Sequence, residues 1–556
     1  MGSKTDQRHL GLYVLVTSIA VSLFISPGNS IDPMNLPKLA LLSILGFLAG
    51  GFAFARVGFF KERKARAFVV LIFLFLFQLF IVFIFDNRDF AFKFYGTSNR
   101  NTGTLAYTAL ALLMLASAVS ASRKVLQRYS VSLVVVGSIL SLYGILQSRG
   151  IDFYEFNNIY ATNVFGTFGN PNFQSAFMGI TGTVALTWVC FSQANIIIRL
   201  GLTLFVGLAL YNISLSSEQG YLTLLAGFTS AAVIFLLSKN QRFFGYFVLG
   251  LGGIGGLLVL VGIFNKGPVA EVIYKSSLQA RSFYWEAAVR MMIDQPLFGV
   301  GMDGFGDWYR RSRTQETAEF NAGITADTAH NIPLDIGSGG GIPLLLIYLA
   351  LVVLALLSII KILKRTTSFD LVFTSIAAAW FAYQAQSLIS INQLGIGVWG
   401  WSLTGLLIGY ELQTREPAGP AQDKPKSKTI RKEQISAISV VTSFIFGGLG
   451  LAAGIPPYLA ADKFYKALQS GDALKIQPAA YLKPNERSRY LYVANIMIAN
   501  KLDDRAIQVL SDASLIYPDS FDLWQLWSTI PTATPDQIAR AKSEMKRLDP
   551  FNPDLK

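Results

Sequence analysis

Length, composition and charge set the first limits on this chain. Its 556 residues are 52% hydrophobic and its mean hydropathy is +0.45, which is more apolar surface than an ordinary soluble domain can bury. The formal net charge is +13, but its lysines and arginines lie mostly in alternate connections between apolar segments. The charge therefore indicates membrane topology and not nucleic-acid binding. The single cysteine, Cys190, excludes a disulfide framework and a cysteine-based metal site.

Apolar stretches long enough to cross a bilayer recur along the chain. A membrane helix needs roughly 20 such residues, and about thirteen segments approach that length. The predicted spans are Leu10–Ile25, Leu36–Phe54, Ala67–Phe85, Thr104–Ala121, Tyr129–Gln147, Gln174–Phe191, Leu200–Leu215, Tyr221–Leu237, Phe244–Phe264, Gly341–Ile360, Leu371–Ile389, Gly397–Tyr410 and Ile435–Leu459. The first segment lacks a small-residue cleavage site and is predicted to be retained. The sequence thus predicts an all-α, polytopic membrane helix bundle of about twelve to thirteen spans with a small helical domain.

Basic residues mark one side of this bundle. They cluster in alternate connections, which predicts that this side is cytoplasmic. The clusters lie at residues 56–66, 123–128, 239–242 and 361–365. The N-terminus falls on the same side. The predicted units are a membrane domain at 1–412, a Pro- and Lys-rich cytoplasmic linker at 413–434, a last transmembrane helix at 435–459 and an extracytoplasmic domain at 460–556.

Three connections on the outer side are too long to be simple turns. They cover residues 86–103, 148–173 and 265–329. Long loops on one face of a protein usually carry its function.

The region after residue 460 has the features of helical repeats. Its helix-like stretches end at Pro484, Pro518 and Pro550, an interval close to the tetratricopeptide period of about 34 residues. Residues at helical spacing that suit a helix-pair core are Tyr490, Ala494, Ala506 and Leu510. We expect a tetratricopeptide-like domain, which serves either as a docking surface for a protein or glycan or as a spacer.

Residue type makes His330 the first catalytic candidate. The only other histidine, His9, lies in the predicted cytoplasmic tail. His330 stands where the longest outer loop returns to the membrane. Histidine is the side chain best suited to exchange a proton near neutral pH, so His330 is predicted to act on an incoming hydroxyl. The alternative is that it caps a helix.

The region from Arg281 to Ile342 resembles the signature region of the O-antigen ligase and polymerase superfamily. It reads RSFYWEAAVRMMIDQPLFGVGMDGFGDWY and then DTAHNIPLDIGSGGGI. Further similar segments are YGTSNRNTG, LYGILQ and GTFGNPNF, all at predicted outward ends of spans. The resemblance covers most of residues 86–412.

The resemblance implies a glycosyltransferase of the C-type membrane architecture in the bacterial cytoplasmic membrane. Such an enzyme moves a glycan from an undecaprenyl-diphosphate carrier to an acceptor hydroxyl on the outer face, and it needs no cofactor. The acceptor is a glycan, a lipid or a protein, and ligase and polymerase share the signature. A further protein partner for the C-terminal domain fits this picture, whereas nucleic acid does not.

The same resemblance assigns roles to residues. His330 is the implied catalytic residue, and Arg281 and Arg100 are the implied diphosphate ligands, because guanidinium groups suit phosphate oxygens. Gln219, in SLSSEQGYL, stands where many members have an arginine, so either the cluster Arg310, Arg311 and Arg313 compensates or the donor differs. Candidates for acceptor binding or support are Asn331, Asp327, Asn172 and Tyr309.

Other features of the outer loops have plainer interpretations. Asp303 and Asp307 are predicted to form a turn and a helix cap and not a metal site. The GSGGG segment lacks the ending of a phosphate-binding loop and is predicted to let helices approach closely. Arg290 is predicted to pair with Glu286.

Two other functions remain open from the sequence. One is a flippase for carrier-linked glycans or a polysaccharide transporter, which would need polar residues at midspan depth, where Gln78 is among the few. The other is a non-catalytic scaffold whose repeat domain recruits partners.

Overall fold

The computed structural model describes residues 4–28, 31–154, 164–268, 270–273, 276–320, 323, 325–366, 368–415 and 436–555. Most of the predicted linker 413–434 lies outside these residues. All the longer regular elements in the described part are α-helices, which confirms the all-α prediction. They are α1 Lys4–Leu23, α2 Asn35–Phe54, α3 Val57–Lys61, α4 Arg66–Phe85, α5 Phe90–Tyr95, α6 Thr104–Ser120, α7 Arg123–Ser148, α8 Pro171–Phe191, α9 Ile196–Ser216, α10 Gln219–Ser238, α11 Arg242–Ile263, α12 Ala270–Ile273, α13 Ser276–Asp294, α14 Phe305–Ser312, α15 Gln315–Phe320, α16 Ile332–Arg365, α17 Leu371–Ser387, α18 Leu394–Thr414, α19 Ala437–Gln469, α20 Ala473–Ile476, α21 Arg487–Ala499, α22 Asp503–Ile516, α23 Phe521–Ser528 and α24 Pro535–Leu548.

Nine helices in the described part of the chain are long and apolar enough to cross a membrane, namely α2, α4, α7, α8, α9, α10, α11, α16 and α19. The other predicted spans coincide with α1, α6, α17 and α18. Nearly every residue of α6 and α18 is buried, so these helices contact protein and not lipid. A helix surrounded by protein can be shorter or more polar than one that faces hydrocarbon. The chain is a polytopic membrane helix bundle.

Small residues let the central helices approach closely. A Cβ at Gly405 would lie 2.2 Å from the Met114 carbonyl oxygen, and one at Gly409 would lie 2.1 Å from that of Ala118. Glycine at these two positions of α18 therefore permits its close packing against α6. Large apolar side chains that face lipid lie at the periphery of the bundle, where Phe77 and Phe80 of α4 are more than half exposed.

The segment PLFGVG packs directly on the glycine-rich start of α16. The backbone N–H of Val300 donates to the Ser338 carbonyl over 2.8 Å, and that of Ile342 donates to the Pro296 carbonyl over 2.8 Å. Gly341 interrupts α16 with a φ of 78°, and a Cβ there would lie 2.5 Å from the Leu297 backbone. GSGGG thus permits a close approach of two backbones, as predicted.

The C-terminal domain is built from helix pairs. Helix α19 continues beyond the predicted end of its span to Gln469, and α21 with α22 and α23 with α24 form two packed pairs. The residues predicted to form its core, Tyr490, Ala494, Ala506 and Leu510, are buried. The assignment of these pairs to the tetratricopeptide class stays a prediction.

The C-terminal domain is docked on the loops of the membrane domain that are predicted to face outward. Arg313, after α14, donates two hydrogen bonds to Asp549 over 2.9 and 2.8 Å, and both side chains are fully buried. Arg310 lies 3.3 Å from the same carboxylate. Phe92 of α5 lies in the hydrophobic core of the C-terminal domain, with its ring 6.2 Å from that of Tyr517. These contacts fix the domain above the outer loops.

Replacing Asp549 with alanine is expected to lower the free energy of unfolding by about 3–5 kcal/mol, the usual cost of removing one partner of a buried ion pair. Arg313 would lose its bidentate carboxylate while fully buried. Chemical denaturation of the detergent-purified protein measures the change, with exposed Asp504→Ala as the control. Equal stability of the two variants would show that the Asp549 contacts do not hold the domain in place.

Candidate active site

His330 immediately precedes α16, but it is not the cap of that helix. The cap is Asn331, whose side-chain oxygen accepts from the Leu334 N–H over 3.0 Å and whose amide donates to the Leu388 carbonyl over 2.9 Å. Asn331 is therefore a structural residue, and His330 is free of the capping role. The backbone φ of His330 is 52°, a left-handed conformation that is costly for a bulky residue and that concentrates at functional sites.

The imidazole of His330 is held by its own loop. Its Nδ1 lies 3.2 Å from the Thr328 carbonyl oxygen and 3.1 Å from the Thr328 hydroxyl, and its ring packs 5.4 Å from that of Tyr284. A proton on Nδ1 lets the ring donate to the carbonyl, which accepts only, and leaves Nε2 unprotonated. In the described part of the chain, Nε2 makes no hydrogen bond. It is available to an incoming hydroxyl.

Arg100 is brought to this loop by two acidic residues. Its Nε donates to Asp327 over 3.2 Å. The loop that carries Arg100 is shaped by Asp303, whose carboxylate accepts from the backbone N–H groups of Thr97 over 2.8 Å and Thr102 over 3.2 Å. Asp303 thus has the turn-forming role predicted for it. The predicted helix cap at Asp307 is wrong: the N-cap of α14 is Gly304, and Asp307 lies in the first turn and pairs with Arg487 of the C-terminal domain.

Arg281 is a buried cation in the first half of α13. Its side chain is 7% exposed, and among the residues that the structure describes no carboxylate lies within 4.0 Å of its guanidinium. Burial lowers the pKa of Arg281 to about 10, which still leaves it charged at neutral pH. An uncompensated buried charge is costly in a folded protein unless an anion is bound beside it.

His330, Arg281, Arg100 and Asp327 form one electrostatic cluster. Burial lowers the pKa of His330 to about 4, with further contributions from the positive charges of Arg100 and Arg281, while the Thr328 backbone and Asp327 oppose the shift. Burial is the largest single influence on Asp327 and disfavours its ionisation. The charge and hydrogen bond of Arg100, the Asp327 backbone N–H and His330 together outweigh it, so the pKa of Asp327 lies below its ordinary value. The structure therefore brings together the predicted base and both predicted arginines.

A family comparison covers most of this cluster. Residues 202–349 match the family model described as O-antigen ligase. Over these residues the chain is similar to that family. The match includes Arg281 and His330 and the whole loop between α11 and α16, while Arg100 lies outside it. No curated protein matches the chain.

Three other predicted site residues are not among the charged groups of the electrostatic cluster. Gln219, at the start of α10 in the matched region, is buried, and neither atom of its amide has a hydrogen-bond partner among the described residues. Asn172 lies in the first turn of α8, where its N–H donates to Asn170 over 2.8 Å. Tyr309 is fully buried against Tyr284. Their roles in substrate binding remain predictions.

The arginine cluster at the C-terminal end of α14 does not replace the cation missing at Gln219. Arg310 and Arg313 pair with Asp549, and Arg311 lies 3.4 Å from Asp519. All three are engaged by carboxylates of the C-terminal domain. The compensation considered from the sequence is therefore wrong, because these cations hold two domains together.

A narrow recess beside Arg100, with about 30 Å³ of accessible space, contains residues that the sequence interpretation missed. Asp335 lies one turn into α16 and accepts from the Ala329 N–H over 2.6 Å. Asn392 lies in the short connection between α17 and α18 and lines this recess. Asp335 belongs to the DTAHNIPLDIG motif and could have been selected there, whereas nothing in the sequence near Asn392 marks it. No group of three His, Cys, Asp or Glu side chains in the described ranges is placed to hold a metal ion.

Proposed function

We propose that this protein transfers a glycan from an undecaprenyl-diphosphate carrier to an acceptor hydroxyl at the outer face of the bacterial cytoplasmic membrane. The observation that carries the proposal is the buried guanidinium of Arg281, which has no carboxylate partner among the described residues, beside a neutral His330 at the outward end of the bundle. A diphosphate needs fixed cations, and a hydroxyl nucleophile needs a base. The match to the O-antigen ligase family supports the same reaction class.

In the proposed reaction, the arginines act on the leaving group. The bond between the anomeric carbon and the carrier phosphate breaks, and its electrons pass to the diphosphate. Arg281, which is buried, and Arg100, which is one-fifth exposed, would stabilise that growing negative charge. Cations fixed before the reaction lower its barrier because they do not have to reorganise. Arg100 is also paired with Asp327, so Arg281 provides the larger share of this charge stabilisation.

His330 acts on the acceptor in the same step. A new bond forms between the acceptor oxygen and the anomeric carbon, and the hydroxyl proton passes to Nε2 of His330. Direct displacement inverts the anomeric centre. Asp327 lies close enough to stabilise the imidazolium, since it already opposes the downward pKa shift of His330.

The transport alternative has less support from the described residues. The polar side chain predicted at midspan, Gln78, donates to the Leu297 carbonyl over 2.9 Å. It therefore anchors the outer loop and does not line a path across the bilayer.

Transfer by the purified wild-type protein tests the proposal. The protein is incubated with an undecaprenyl-diphosphate-linked oligosaccharide and envelope extract, and the glycan is followed by mass spectrometry. We expect release of undecaprenyl diphosphate together with a product heavier than its acceptor by the mass of the glycan. Movement of intact donor across proteoliposomes without such a product would contradict the proposal and favour transport.

The rate of transfer should begin to fall at a lower pH than expected for an ordinary histidine base. His330 acts as a base only when neutral, so the rate falls as pH drops through its pKa, which is about 4 in the unliganded protein. We expect kcat/KM to stay flat from about pH 7 to about pH 5, where an ordinary histidine would already be protonated. The negative charge of bound donor offsets both arginines, so the acid limb of kcat should lie at higher pH than that of kcat/KM. A fall in kcat/KM centred on the ordinary histidine pKa would contradict the claim that burial and the two arginines lower the pKa of His330.

A further inference from the structure

A second cleft lies between the C-terminal domain and the outer loops. It offers about 420 Å³ of accessible space, which lies within the roughly 300–1,000 Å³ of known ligand pockets. Asn99 and Asp327 line both this cleft and the recess beside Arg100. The two cavities are therefore adjacent, and Asp327 belongs to the cluster that contains His330.

The walls of this cleft are polar but offer no free cation among the described residues. Five carboxylates and two guanidinium groups line it. Of the two cations, Arg310 pairs with Asp549 and Arg487 with Asp307. The remaining polar lining consists mainly of hydroxyl and amide groups, such as Ser98 and Asn485. Four of the five carboxylates are paired with arginines as well. Such a wall suits a ligand rich in hydroxyl groups, whereas phosphate or carboxylate groups would find no free cation among the described residues.

Two hydroxyl groups on the wall of the C-terminal domain have unused hydrogen-bonding capacity. Tyr517 is 5% exposed and Ser520 is 2% exposed, and within the described part of the protein neither hydroxyl has a hydrogen-bond partner. Buried hydroxyl groups nearly always have one, so each such exception needs an explanation. Both residues line the cleft, and a bound ligand would supply the missing partners.

We propose that this cleft binds the acceptor and that the acceptor is an uncharged glycan chain. The inference rests on the proposed function and adds the class of acceptor and a role for the C-terminal domain. The domain forms one wall of the acceptor site, with Tyr517 and Ser520 binding sugar hydroxyls while the chain end reaches His330 past Asp327. The C-terminal domain is then part of the substrate site and neither a spacer nor a docking surface for a separate protein.

A binding measurement tests this proposal independently of transfer. The full-length protein in detergent is applied to an array of uncharged oligosaccharides, phosphate-bearing oligosaccharides and peptides. We expect binding to uncharged oligosaccharides, retained in His330→Asn and weakened about five- to tenfold in Tyr517→Phe and Ser520→Ala, because each removes one hydrogen bond. Ser528→Ala is the control and should bind like wild type, because Ser528 ends helix α23, does not line the cleft, and donates its hydroxyl to the Gln525 carbonyl.

The other possible results of this binding experiment separate the cleft assignment from the proposed reaction. Equal binding by wild type and both cleft variants, or preference for the phosphate-bearing or peptide probes, would overturn the proposal. Binding that behaves as expected while wild type fails to transfer would count against the proposed reaction and leave the cleft assignment standing. Where transfer is observed, Tyr517→Phe should raise the KM for acceptor and leave kcat and the KM for donor unchanged. A fall in kcat alone would place the hydroxyl outside the acceptor site.

Discussion

Replacing His330 with asparagine is expected to lower kcat for glycan transfer by about a hundred- to ten-thousand-fold, the usual contribution of a general base. Asparagine tolerates the left-handed backbone that His330 adopts at φ 52°, but it cannot take a proton. Donor binding should change little, because Arg281 and Arg100 remain. The measurement is single-turnover transfer from saturating undecaprenyl-diphosphate-linked glycan, followed by mass spectrometry.

The second histidine of the chain provides the matched control. His9 lies in α1, far along the sequence from the site, so His9→Asn should transfer at the wild-type rate. Thermal unfolding of both variants shows whether either is misfolded. A folded His330→Asn protein with the wild-type kcat would remove His330 from the reaction, and the arginine cluster would then have to act with a different base.

The spans were predictable because hydropathy reports the environment of lipid-facing helices directly. Helix α4, with its exposed phenylalanines, is the clearest case. Helices α17 and α18 carry weaker signals because they contact other helices, and such positions need small or shape-matched residues more than apolar ones. Gly405 and Gly409 show this, since their role against α6 depends on a partner about three hundred residues earlier in the chain.

The candidate site was predictable only as far as its motif extends. His330 and Arg281 follow from residue types in a family signature, and Asp303 follows from turn chemistry. The pairing of Arg313 with Asp549 does not, because these residues are 236 positions apart. Charge alone suggested that the Arg310–Arg313 cluster could serve a substrate, and only the docked domain shows that its cations are already paired.

Removing the guanidinium of Arg281 should damage transfer without damaging the fold. In Arg281→Gln, we expect kcat to fall about a hundred- to a thousandfold, as when one preorganised charge-stabilising donor is lost. The melting temperature should stay equal or rise, because an uncompensated buried charge destabilises a protein that has no ligand bound. Differential scanning fluorimetry and single-turnover transfer give the two readouts. Inorganic pyrophosphate should raise the melting temperature of wild type but not of Arg281→Gln, since ligand binding stabilises only the state that binds it.

Arg290, on the same helix α13, is the matched control for this change. It is about half exposed and pairs with Glu286 over 3.2 Å, one turn earlier, and exposed pairs of this kind contribute about 0–1 kcal/mol. Arg290→Gln should therefore keep both the wild-type rate and the pyrophosphate response. If Arg281→Gln instead loses stability and responds to pyrophosphate as wild type does, the guanidinium supports the fold and the anion binds elsewhere. If transfer is lost while the melting temperature rises, a role in the fold cannot explain the loss. The charge of Arg281 would then destabilise the unliganded protein, and only a bound anion would offset that effect.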